Sequence, residues 1–283
     1  MSHPLLDVTR IDGPLVEYLA SCGDVFATIT GHDSRNTSYG VAIGGDRWFV
    51  KHASAGDTDA IGELESAIRF HTAVRHRAIV PLVGVVHASD GLGIVHPWRP
   101  GEVLNDPFAP GALPPADPES AFARFRALPL PELIAAIDTL FEAHVAVAGS
   151  GFVAVDFYDG AVLYDFAARA IHLVDLDSYR PPYTLDRERQ FGSSRFMAPE
   201  EWQRGATIDD RTTVYTLGRA AFVFLGGERG DPSPECWRAD ARRHEVARRA
   251  TAALPADRFT TVAELHRAWL GPSQPASGET AIS

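Results

Sequence analysis

The stretch Asp46–Ser54, DRWFVKHAS, holds the only lysine of a 283-residue chain. The chain carries 26 Lys and Arg side chains, and all but Lys51 are arginine. An exposed cation can be either type at little cost. A lysine kept in an arginine background suits a task that needs a compact ammonium on a flexible stem, which the planar guanidinium cannot imitate. The residues on either side of it read as a short β-strand, 47–53. Working back, VFATIT (25–30) and YGVAI (39–43) read as two more, separated by the turn-formers GHDSRNTS and GGD. Working forward, Asp57–Arg75 reads as a helix, because Ile61, Leu64 and Ile68 recur at helical spacing and His71 and Val74 continue that side. AIVPLVGVVHA and LGIVHPW give two further strands.

The segment 104–118, LNDPFAPGALPPADP, has five prolines and no periodic apolar pattern, so it reads as a linker. Beyond it the pattern is mostly helical, at 119–127, 131–148, 208–225 and 238–252, interrupted by the short strands VLYDF (162–166) and IHLVDLD (171–177). This order predicts an α+β chain with a small strand-rich lobe, a hinge and a larger helical lobe. The expected divisions are an N-terminal extension at 1–24, a first lobe at 25–99, a hinge or linker at 100–118, a second lobe at 119–272 and a flexible tail at 273–283.

Composition narrows the function. No apolar run approaches ~18 residues, so no membrane span is expected. The N-terminus MSHPLLDVTR lacks the basic start and apolar stretch of a secretory signal. Two cysteines, Cys22 and Cys236, make no disulfide framework, and a cytoplasmic location is the simple expectation. A formal charge of −11 argues against a nucleic-acid surface and favours cationic or metal-complexed ligands. Oligomeric state is not legible.

Taken in order and spacing, the residues from Val25 to Leu270 resemble the protein-kinase family, closest to its bacterial-type Ser/Thr members. The most specific run is GSSRFMAPEE, 192–201, which is similar to the end of an activation segment. The resemblance implies an antiparallel-sheet N-lobe, a helical C-lobe, ATP and Mg²⁺ as cofactors, and Lys51 gripping nucleotide phosphates. The family's lysine pairs with a helix glutamate. Glu63 and Glu65 lie ~200° apart around a helix, so face arithmetic does not choose between them, and family spacing favours Glu65. In place of the family's glycine-rich loop stands TGHDSRNTSYG, where Ser34, Asn36, Thr37 and Ser38 are the expected phosphate contacts. VHPWRPG is the hinge candidate, with backbone groups near His96 and Trp98 meeting adenine.

The resemblance places Asp156, in GFVAVDFYDGAVLYDF, as the catalytic aspartate that orients and deprotonates an attacking hydroxyl. Ala154 and Val155 replace the family's His-Arg, Tyr158 replaces a lysine, and Ala161 stands where a metal-binding asparagine belongs. Nineteen residues after Asp156, HLVDLDSY places Asp175 as the magnesium ligand. Asp159 or Asp177 is expected to supply the missing metal oxygen. Glu200 is expected to pair with Arg258, and Thr213 replaces an aspartate that steadies the catalytic loop in the family. The leading reading is phosphate transfer to Ser or Thr of a protein. A kinase for a small hydroxylated molecule and a non-catalytic pseudokinase are the alternatives.

Overall fold

The structure, a computed structural model, describes residues 3–30, 35–107 and 111–272. Strand β3 (Asp46–Ser54) is the middle of a five-stranded antiparallel sheet, ordered β1-β2-β3-β5-β4. Its other members are β1 (Asp24–Ile29), β2 (Thr37–Ile43), β4 (Gly84–Ala88) and β5 (Gly91–Pro97). β2 and β3 are joined by Gly44 and Gly45, with φ of 62° and 97°. A two-residue hairpin of this hand needs a positive φ at both positions, which glycine reaches without strain.

Side chains alternate across a strand, so β3 serves two cores. Trp48 and Val50 face one side with Val41, Val86 and Val95, and that side is covered by Leu5 and by Leu15 and Leu19 of helix α1 (Leu15–Cys22). Ala53 faces the other side with Leu92 and Ile94, against Ala60, Leu64 and Ala67 of helix α2 (Thr58–Ala73). The Asp57 carboxylate caps α2 by accepting from the Ala60 N–H at 3.0 Å. Residues expected to form an N-terminal extension are therefore part of a core. The helix is only eight residues long, too short for a periodic signal.

The rest is mainly helical: α3 (Ala121–Arg126), α4 (Leu130–Gly149), α5 (Asp210–Leu225), α6 (Ala241–Ala250) and α7 (Val262–Leu270). Ile137 and Phe141 of α4, Leu217 and Phe224 of α5, Val246 of α6 and Trp269 of α7 share one buried cluster. Helix α7 was not among the sequence expectations. β6 (Glu102–Val103), β7 (Val162–Asp165) and β8 (Ala170–Leu173) form a three-stranded antiparallel sheet, and β9 (Tyr183–Thr184) pairs with β10 (Thr207–Ile208).

Three boundaries differ from expectation for physical reasons. The run 78–88 is strand only from Gly84, since Pro81 lacks an N–H for the ladder. Its first residues reach β8 instead, with the Leu173 N–H donating to the Ala78 carbonyl at 2.6 Å. The expected strand 171–177 stops at Leu173, because Asp175 turns the chain with a φ of 55°. Within the expected linker 100–118, Glu102–Val103 pairs with β7. Residues 108–110 and the expected tail 273–283 lie outside the described residues.

If α1 is a working part of the sheet's core, Leu19→Ala should cost about 2–5 kcal/mol. Urea unfolding followed by tryptophan fluorescence measures this, Trp48 lying in the same cluster. A loss below ~0.5 kcal/mol, the size expected of a surface change, would show that α1 is dispensable.

Candidate active site

Strand register fixes where Lys51 points. It lies opposite Ser38 of β2 and Ile94 of β5, on the α2 side of the sheet. Its ammonium donates to Asp175 Oδ1 at 2.8 Å and makes a still closer contact with Asp177 Oδ2. Burial alone would lower the Lys51 pKa, but the two carboxylates outweigh it and hold the ammonium above its ordinary value. Asp177 is moved upward, chiefly by burial and by the charge of Asp175, with Lys51 opposing. The expected partner Glu65 is exposed. Glu63 is the α2 glutamate whose carboxyl feels Lys51. Burial raises the Glu63 pKa, Lys51 pulls it back, and Glu63 makes no ion pair among the described residues.

Asp156 and Asp175 share an unusual backbone state, with φ of 59° and 55°. Left-handed non-glycine residues are uncommon and cluster at functional sites. Both carboxylates raise the pKa of the Tyr158 and Tyr179 hydroxyls, after burial as the largest cause. Two contacts hold the loop that carries Asp156. The Ala154 N–H donates to Thr213 Oγ1 at 3.0 Å, so Thr213 ties this loop to α5. Val155 is buried with Val153, Leu185 and Ile208. Gly192 (φ 146°) passes so close that a Cβ there would sit 3.3 Å from Asp156 Oδ1.

Asp159 is not placed as an open metal ligand. Its side chain is fully buried, its two oxygens each accept from Arg195 at 2.7 Å, and Oδ1 also accepts from Asn105 at 3.2 Å. Asp177 is likewise engaged, by Lys51. The other expected contacts are mixed. Ser34 lies outside the described residues. Ser38 is opposite Lys51, Thr37 is opposite His52, and Asn36 is buried with neither amide atom hydrogen-bonded among the described residues. His96 packs edge-on to His71 of α2 at 5.0 Å between ring centroids, and its Nδ1 bonds the Pro81 carbonyl at 3.0 Å. Burial pushes the two imidazoles down to about 4 and about 3. The Trp98 N–H donates to the Arg47 carbonyl at 2.9 Å, so that donor does not serve a base.

Sequence reasoning missed an aromatic group at the same edge. Phe26 and Trp98 meet edge to face at 5.0 Å, with Phe49 beside Trp98 at 6.4 Å. They fit because β2 has Gly40 opposite Phe49; a Cβ on Gly40 would fall 2.5 Å from the Phe26 ring. The pairing of a glycine with a large residue across the ladder is a signal that only known register exposes.

The end of the segment is anchored as expected. Arg258 donates to Glu200 at 2.7 and 2.9 Å with its own side chain fully buried, and Thr212 adds a hydrogen bond to Glu200 at 2.9 Å.

With this geometry in view, the chain was compared with known proteins. It is similar to a protein kinase. The serine/threonine-protein kinase pkn2 of Myxococcus xanthus is 27% identical to it over 216 residues. The match covers 73% of this chain and 23% of that protein, so the chain spans under a quarter of the relative's length. No family model matches the chain. The similarity supports a kinase relationship at a coarse level, and the mixed α/β structure with its antiparallel sheet is compatible with it.

Glu201, next to the Glu200 anchor, gives a test of this region. Its Oε2 accepts from the Ala198 N–H at 2.7 Å, yet burial raises its pKa from 4.5 to about 7. A carboxyl raised on folding stabilises fully below its unfolded pKa, and the contribution is lost as pH rises through the folded value. Stability should therefore fall between pH ~4.5 and ~7 by about 3 kcal/mol from this group. Glu201→Gln should flatten that part of a denaturant-derived stability profile. An unchanged slope would show that Glu201 is ionised at no cost.

Proposed function

We propose that this chain is an ATP-dependent phosphotransferase with a two-lobed protein-kinase-like fold, transferring the γ-phosphate to a hydroxyl, in first place Ser or Thr of a protein. One observation carries the reading. The only lysine, in the middle of the N-terminal sheet, meets at 2.8 Å an aspartate 124 residues later that follows β8. A mobile point charge beside a carboxylate is the arrangement a nucleotide triphosphate and its metal ion require.

In this mechanism Lys51 binds phosphate oxygens. Asp156 lies on its anchored loop next to Gly192, where it orients an acceptor hydroxyl and takes its proton. Asp175 is the magnesium ligand. Its side chain is 46% exposed, and it offers a hard oxygen of the kind Mg²⁺ uses, one or two carboxylates sufficing when phosphates and water complete the shell. Among the described residues no group of three or more His, Cys, Asp or Glu could hold a metal by itself. When bound, the ion neutralises phosphate charge. Ser38 of β2, opposite Lys51, is the best placed of the expected phosphate contacts among the described residues.

A peptide acceptor is favoured by the surface next to Asp156. Phe191, beside Gly192, is 65% exposed, with Arg187 over its ring at 5.0 Å and Arg189 over Trp202 at 5.1 Å. Aromatic rings overlaid by cations suit a peptide and oppose a cationic metabolite. One observation favours the pseudokinase reading: Ala161, where the family has a metal-binding asparagine, is fully buried and has no ligand atom.

The experiment is incubation with Mg²⁺-ATP and peptide, protein and small-alcohol acceptors. Wild type should phosphorylate peptide Ser or Thr, and Asp156→Asn should lower kcat by roughly 10²–10⁴-fold. Lys51→Arg should raise the KM for ATP, and Asp175→Asn should abolish the Mg²⁺ dependence of nucleotide binding. Turnover only with a small alcohol would move the acceptor class. Binding of ATP without transfer would select the pseudokinase.

A further inference from the structure

We infer that Asp177, and not a glutamate of α2, is the fixed counter-ion of Lys51, so the lysine is positioned by the segment after β8 independently of the helix. For its role in catalysis this rests on the phosphotransferase reading; the placement itself does not.

Four elements face the ammonium. Helix α2 offers Glu63, which is half-buried and makes no ion pair among the described residues, while Glu65 is exposed. β5 offers His96, which burial keeps uncharged at neutral pH and which bonds the Pro81 carbonyl. β2 offers the neutral Ser38. The segment after β8 offers both carboxylates that touch Lys51. These two differ in burial. The Lys51 and Asp177 side chains are 10% and 11% exposed, whereas Asp175 is 46% exposed.

A buried ammonium needs a counter-charge that stays, and the carboxylate buried with it supplies one. The half-exposed carboxylate is the one able to exchange partners when phosphate and metal arrive. The left-handed turn at Asp175 lets both reach one nitrogen from positions two apart. The segment after β8 thus supplies a buried charge that the helix does not. A swing of α2 away from the sheet would leave Lys51 in place. Asp177 is thus a positioning residue.

The single lysine makes the test direct, because lysine-selective ¹⁵N labelling gives one side-chain ammonium resonance. In wild type it should be visible with slow hydrogen exchange. Asp177→Asn should speed that exchange at least tenfold and weaken Mg²⁺-ATP binding at least tenfold, and Asp177→Glu should restore both in part. Glu63→Gln and Glu65→Gln should change either by less than twofold. Loss of the slow-exchanging resonance in Glu63→Gln, whose half-exposed site tolerates the change, would overturn the inference. So would an unchanged resonance in a folded Asp177→Asn. If wild type binds no nucleotide, the phosphotransferase reading fails, and the resonance still reports which carboxylate holds Lys51.

Discussion

A buried ammonium has to be matched by negative charge, and that requirement organises the site around Lys51. The lysine belongs to the middle strand of the sheet, and its carboxylates belong to a turn far along the chain. Neither is comfortable without the other. Removing one member of a buried ion pair is far more costly than losing an exposed pair, since it leaves a charge in a poorly solvated place. The contact thereby ties the strand-rich part to the helical part. β6, the β8 bridge to residues 78–80 and the end of α2, whose Phe70 joins the main helical cluster, support the same junction.

The replacements around Asp156 are mutually consistent. Thr213 of α5 accepts from the Ala154 N–H, tying a small loop residue to the helix. Val155 packs against Leu185 and Ile208, residues on both sides of the β9–β10 ladder. Tyr158 lies across Gly160, where a Cβ would come within 2.2 Å of its ring. These side chains are matched one by one.

The chain between β8 and α5 is tied down by several contacts. The segment after β8 is held by the short β9–β10 ladder, by the Val155 cluster and by Arg195 on the buried Asp159. Arg219 fixes Arg195 in turn by donating to its carbonyl at 2.9 Å. Together with a lysine positioned from the same side, this describes a site whose geometry is built in.

Much of this was legible in the sequence, because local rules sufficed. Short runs between turn-formers marked β2 and β3, helical spacing marked α2, and the lone lysine and the run 192–201 pointed to a candidate site. What the sequence left open depended on contacts between distant residues. Glu63 and Glu65 flank the same helical face, and only the packed helix shows that Glu65 points to water. Asp159 and Asp177 were equivalent as spare oxygen donors until folding assigned Arg195 to one and Lys51 to the other. Helix α1 and strand β6 are too short to announce themselves and exist because a sheet face and a strand edge needed covering. The sequence by itself determined most of the longer elements and the candidate site side chains, since those follow from neighbours along the chain. Tertiary structure alone decided which charges meet, because a buried ion's partner is fixed by whichever opposite charge the fold brings within reach.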